Sequence, residues 1–280
     1  MGIFTPMEKT EHRIKPPEGF SLGLRELWQY RELFYFFTWR DIKVKYKQTF
    51  LGIFWALLQP LGLMLIFTLL FTKSWKIDTT PVAYPIFVLS GLIIWNLFHA
   101  AVSHAGESMI QNAAIIKKIY FPRLIVPGSA VLVALFDFLM GLLIFLVFCI
   151  IYKQLVQWQA ILFFPAGILL TLVAGFGAGT FLAALNVKYR DFRYTIPFLL
   201  QFLFFASQVI YPLQQVQQSW LKYVLALNPV NAAIELFRTP LNGGRIDMEV
   251  IGIGIVSALL LFITGIYYFR KTEAYLADHA

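Results

Sequence analysis

Charge is what this sequence has least of. Asp, Glu, Lys and Arg make up 14% of its 280 residues, against about 25% in an ordinary soluble domain. A soluble fold of this length could not cover its surface with so few. Cysteine is nearly absent too: the lone Cys149 excludes an internal disulfide framework and a multi-cysteine metal site. The four histidines are scattered, with no H-E-x-x-H motif, no paired carboxylates and no G-x-x-x-x-G-K-[ST] phosphate loop. Nucleotide hydrolysis by that route is therefore excluded, and a metal centre or a catalytic site has no visible donor set. The formal net charge of +8 does not indicate a nucleic-acid partner, because the apolar runs are too long and the charges too few for a basic tail or a DNA-binding domain. No cleaved signal peptide is expected, since the first apolar run begins at Phe50, too late and too long for one.

Hydrophobic residues, at 59%, fill the space the charges leave. Residues 50–71, 84–105, 161–185, 195–212 and 250–269 contain no charged residue, and 124–152 contains only Asp137. A helix needs roughly 20 apolar residues to cross a bilayer core of about 30 Å. The runs lack the short alternation of outer-membrane strands. The expected fold is an all-α integral membrane protein with six transmembrane helices, of which 195–212 is the shortest. Of the 23 basic residues, 17 fall in the N-terminal segment, the even-numbered connections and the C-terminal tail. The positive-inside rule then places both termini in the cytoplasm. Expected divisions are a cytoplasmic arm with an interfacial helix at 1–49, a six-helix domain at 50–270, and a cytoplasmic tail at 271–280.

Several features carry more specific expectations. Residues 22–37 mix apolar Leu24, Leu27, Trp28, Leu33, Phe34 and Phe37 with charged neighbours, as an amphipathic helix at the headgroup boundary does. Arg40, Lys43 and Lys47 share one helical face, with Lys45 adjacent. They read either as snorkelling cations or as an entrance for a phosphate-bearing lipid. Asp137 stands alone among apolar residues. It reads as part of a transport pathway or as a polar contact between packed helices. Gly175, Gly179 and Ala183 form a small-residue stripe that lets helices approach closely.

In 213–249 two apolar stretches too short to cross flank Asn228-Pro229, a helix break and restart. They read as re-entrant helices, with Glu235 and Arg238 spaced to pair on one face. Aromatics reach 17%, and Trp55, Trp95, Tyr84, Tyr211, Tyr267 and Tyr268 stand near span ends, as an interfacial belt predicts.

Five stretches in order resemble one family. They are DIKVKYKQTFLGIFWALLQP at 41–60, GLIIWN at 91–96, IKKIYFPR at 116–123, KYRD at 188–191, and NP at 228–229 followed by ELFR at 235–238. The chain is similar over about 25–270 to ABC-2 type exporter permeases, and within them to the O-antigen, capsule and teichoic acid group. One departure is Gln208, where members often carry a proline before VIYP at 209–212; the expected effect is a change of local kink. The resemblance implies a homodimer in the bacterial inner membrane, served by two separate ATPase subunits that bind ATP and Mg. It implies that 22–37 is a gate helix and that 107–118 is a helix docking into the ATPase. In that stretch Met109, Ile110, Ala113 and Ile116 are apolar, while Glu107, Gln111, Asn112, Lys117 and Lys118 are polar. The substrate implied is a glycan on polyprenyl diphosphate, O-antigen-like, with a capsule or teichoic acid chain as the alternative. A proton-driven transporter using Asp137 is the rival from another class.

Overall fold

The computed structural model describes residues 24–47, 53–74, 79, 81–189, 191–244 and 246–279. Among these, every regular element is a helix. The order is α1 (Leu24–Gln29), α2 (Arg31–Lys47), α3 (Ile53–Ser74), α4 (Tyr84–Gln111), α5 (Ala113–Ile116), α6 (Ile125–Ile151), α7 (Ala160–Lys188), α8 (Phe192–Phe205), α9 (Ser219–Ala226), α10 (Pro229–Arg238) and α11 (Met248–His279). Four stretches are long and apolar enough to cross a membrane: α4, α6, α7 and Met248–Thr272 of α11. Two shorter apolar helical stretches, Leu58–Phe71 and Phe192–Phe205, occupy the positions of the first and fifth expected spans.

α4 is the axis of the fold. Its most apolar stretch is 78% buried, against 33% for each of the other three long helices. It packs against α3, α6, α7, α8 and α10. Small residues make the tightest of these contacts possible. A Cβ on Gly175 would stand 2.9 Å from the Cβ of Ala101, and one on Gly179 would stand 2.6 Å from that of Ala105. The stripe read from the sequence is therefore the α4–α7 seam. The opposite face of α7 does the same with α11, where Gly177 lies under the backbone at Phe262 and Gly265 abuts the Gly177 carbonyl.

α10 is a plug set among these helices, and all ten of its residues are buried. Asn228 caps it, accepting a hydrogen bond from Val230 N–H at 3.2 Å, and Pro229 occupies the first turn, where its missing N–H costs nothing. Gly167 of α7 and Gly254 of α11 leave room for its Ala233 and Ala232 backbone.

Three expectations are corrected. First, the amphipathic segment does not end at Phe37. It is broken at Tyr30 and continues as α2, which packs through Phe37 on Phe121, just before α6, and through Tyr46 on Phe136 of α6, with ring centroids 5.7 and 5.8 Å apart. Second, the fifth apolar run is helical only as far as Phe205. The residues beyond it give backbone groups to side chains instead: Ala206, Gln208 and Val209 carbonyls accept from Asn231 and Arg238, and Gln208 N–H donates to Asn231 Oδ1. Third, Trp95 is no belt residue. It is buried, with its ring 5.4 Å from that of Phe204. Trp55 lies where side chains are outside the described set.

Candidate functional site

The four cations of α2 do not act as one face. Arg40 donates to Asp41 Oδ1 at 2.8 Å and to Asn112 Oδ1 at 2.7 Å, so it ties α2 to the elbow where α4 gives way to α5. Lys43 is exposed and lies over the Trp39 ring at 5.2 Å, and Lys47 is exposed. Lys45 turns toward α6, where its Nζ meets Asp137 Oδ2 at 2.5 Å. Tyr46 donates to the other carboxylate oxygen. Burial, reinforced by the hydrogen bond and charge of Asp137, raises the Tyr46 pKa and keeps its hydroxyl a donor.

The sequence reading of Asp137 as a carboxylate without a charged partner is therefore corrected. A Lys and a Tyr from a helix some 90 residues away satisfy it, and the pair neutralises a charge that would be costly alone. Tyr46 was missed, although it stands next to Lys45 in the sequence.

The elbow also differs from the expected single helix over 107–118. Glu107, Met109, Ile110 and Gln111 belong to the last turns of α4, Asn112 is the break, Ile116 ends the one-turn α5, and Lys117 and Lys118 follow it. Met109 is fully buried and Asn112 nearly so, the latter donating to Ser108 O at 2.9 Å. Neither can meet another protein there. The apolar surface at this end is formed by Ile110, Ile119 and Tyr120, which are 43%, 59% and 61% exposed.

At the other end of α4, Glu235 and Arg238 are buried but do not bond each other as expected. Arg238 donates through Nε to Ser90 Oγ at 3.0 Å and through Nη1 to Gln208 O at 2.6 Å. Its Nη2 donates to the Phe87 and Val209 carbonyls at 2.7 and 3.1 Å. Its guanidinium lies 3.5 Å from the Phe87 ring centroid. Glu235 accepts from Gln214 at 3.0 Å. Burial raises its pKa, and the nearby Arg238 charge opposes that rise. Among the described residues no group of three or more His, Cys, Asp or Glu side chains is placed to hold a metal ion.

Residues 32–241, three quarters of the chain, match the ABC-2 type transporter family. The chain belongs to that family. The O-antigen export system permease protein RfbA of Myxococcus xanthus is 32% identical over 254 residues, covering 89% of this chain and 96% of that protein. An O-antigen export system permease protein RfbA of Klebsiella pneumoniae is 25% identical, with 86% and 92% covered. The polysialic acid transport protein KpsM of Escherichia coli is 23% identical, with 85% and 93% covered.

In this ABC-2 chain the quoted motifs gather at two poles. ELFR supplies Arg238, VIYP supplies the Val209 carbonyl, and GLIIWN begins at Gly91, where a Cβ would stand 2.6 Å from Arg238 Nη2. Of the other stretches, residues 41–47 and 116–123 lie toward the opposite pole, near the Arg40–Asn112 and Phe37–Phe121 contacts, and 48–52 fall outside the described residues. Gln208, the departure from the common proline, uses its N–H and its side-chain amide to hold Asn231 at 2.7 and 2.6 Å. A proline could make neither bond.

Proposed function

We propose that this chain is the membrane subunit of an ATP-driven exporter that carries surface polysaccharide across the bacterial inner membrane. The observation that carries this reading is near full-length similarity to permeases of O-antigen and polysialic acid systems. The cargo we infer is an O-antigen-like glycan on polyprenyl diphosphate, with a capsule chain as the alternative that the polysialic acid relative keeps open. The subunit is a homodimer with six crossings per chain and both termini in the cytoplasm. Two partner ATPases bind ATP and Mg and dock at the Ile110, Ile119 and Tyr120 surface. This chain then contributes transport and no catalysis of its own, and the α9–α10 hairpin is re-entrant. Apolar residues exposed on α3 (Leu65, Ile66, Leu69, Leu70) and α8 (Phe198, Phe202, Phe205) offer faces for lipid or for the second copy. The entrance for the lipid diphosphate is the exposed pair Lys43 and Lys47, since Arg40 and Lys45 already hold protein partners.

The test is export in cells and in vesicles. Lys43→Glu with Lys47→Glu should cut exported glycan by more than about tenfold, as expected for two lost phosphate contacts, while membrane levels of the chain stay normal. Normal export in that variant would assign both residues to headgroup anchoring. Passage of glycan through vesicles holding this chain alone, without ATP, would refute the exporter reading itself.

A further inference from the structure

A cavity of about 560 Å³ opens at the pole of Arg238, away from the elbow. Small-ligand sites run from about 300 to 1,000 Å³, so it has room for more than a water cluster. It is assembled from distant parts of the chain: Thr79 and Pro81 before α4, Gln214 and Gln215 after α8, Lys222 of α9, and Asn242, Ile246 and Asp247 before α11.

Its charges are already committed. Lys222 Nζ meets Asp247 Oδ2 at 2.6 Å, and each nitrogen of Arg238 that donates does so to an uncharged acceptor of the protein. The hydrogen bond from Lys222 to Asp247 raises the pKa of that lysine against the cost of its desolvation. Glu249 accepts from Tyr223 at 3.1 Å, and Glu235 from Gln214. Among the described residues of its wall, a phosphate or other anion would find no cation without a protein partner. A cation would find three carboxylates of which one is paired with Lys222 and the others hold hydroxyl and amide donors.

What the walls offer is different. Side-chain amides of Gln214, Gln215 and Asn242 line the cavity. An amide carries two N–H donors and an acceptor oxygen, so the Gln214 that gives one N–H to Glu235 keeps further capacity, and carboxylate oxygens accept further bonds. Pro81, Ile246 and Met248 add apolar surface beside them. Paired donor–acceptor groups next to an apolar wall match a sugar ring, with hydroxyls on its edge and C–H groups on its faces.

We propose that this cavity is a saccharide subsite at the exit pole, taking one or two neutral sugar units as the chain emerges. It rests on the reading of the chain as a glycan exporter and gives that reading a contact point within each subunit.

The experiment uses the permease purified with its ATPase in detergent. The probe is a set of short oligosaccharides released by mild acid from the host's own surface polysaccharide, free of lipid and phosphate. Saturation-transfer NMR should show transfer to sugar protons. Affinity should fall roughly tenfold in Gln215→Ala/Asn242→Ala, which removes two amide contacts, and stay unchanged in Gln217→Ala outside the cavity. Inorganic phosphate should not compete. Absence of transfer in the wild type, equal affinity in the double variant, or competition by phosphate would each overturn the assignment. Export assays separate the two readings. ATPase-dependent glycan export with no cavity binding removes the subsite alone. Fragment binding at the cavity in a chain that exports no glycan removes the exporter reading and leaves the saccharide site.

Discussion

One buried ion and one half-buried ion set the logic at the scale of single residues. Arg238 is fully buried, its hydrogen-bond partners are neutral oxygens of α4 and of Gln208 and Val209, and its guanidinium lies over the Phe87 ring. Arg238→Met should cost about 3–5 kcal/mol, because several buried carbonyls lose their donor together; a lowered thermal midpoint in detergent measures it. Lysine cannot rescue the site, since a point charge does not reproduce the planar fork. Asp137 predicts a gentler effect. Asp137→Asn removes the charge from a partly exposed pair, so hydrogen exchange over residues 31–47 should quicken about tenfold while α4 stays protected. Exchanging the two, Lys45→Asp with Asp137→Lys, should restore much of the protection. Neither environment could be read from spacing. The i, i+3 register of Glu235 and Arg238 was legible, but in a dry site Arg238 is better served by four fixed dipoles than by one carboxylate. The partner of Asp137 lay too far along the chain for local pattern to reveal.

Helices and their seams were easier to read than their ends. Long apolar runs need only length and hydropathy, which is why 84–105, 161–185 and 250–269 fall within observed helices and 124–152 overhangs α6 by one residue at each end. The Asn228-Pro229 restart was legible for a local reason, a side-chain cap followed by a residue that cannot donate. The fifth run failed because hydropathy does not record that backbone carbonyls can be claimed by Arg238 and Asn231. The glycines give this scale its prediction. In Gly265→Ala the new Cβ meets the Gly177 carbonyl, so α7 and α11 must part. A loss of at least about 3 kcal/mol is expected from such overpacking against backbone. Gly252→Ala, in the same helix with nothing within 4 Å, should be neutral or stabilise by up to ~1 kcal/mol. Comparing the fraction of each variant that stays monodisperse after heating decides between them.

For the whole molecule, the elbow and the plug stand at opposite poles of α4, the most buried of the long helices. An ATPase engaging the elbow should be felt along this one rigid element. Ile119→Glu with Tyr120→Glu should release the ATPase in pull-down, a loss of more than about tenfold if both side chains are interface anchors. Met109→Leu, buried and volume-conserving, should leave binding intact. Which apolar residues of the elbow are exposed was not legible, because with a helix break at Asn112 Met109 is buried while Ile119 and Tyr120 lie at the surface. The short α8 has a consequence for the lipid around the protein. Its 14 residues rise only about 21 Å, whereas the 28 of α4 rise about 42 Å. On the proposed six crossings, a bilayer relaxed around the long helices would be too thick beside α8, and acyl chains there would compress or tilt. Acyl-chain length thereby becomes a control variable for transport. In vesicles of graded thickness, the fastest export should occur in lipids shorter than those that give the highest thermal stability.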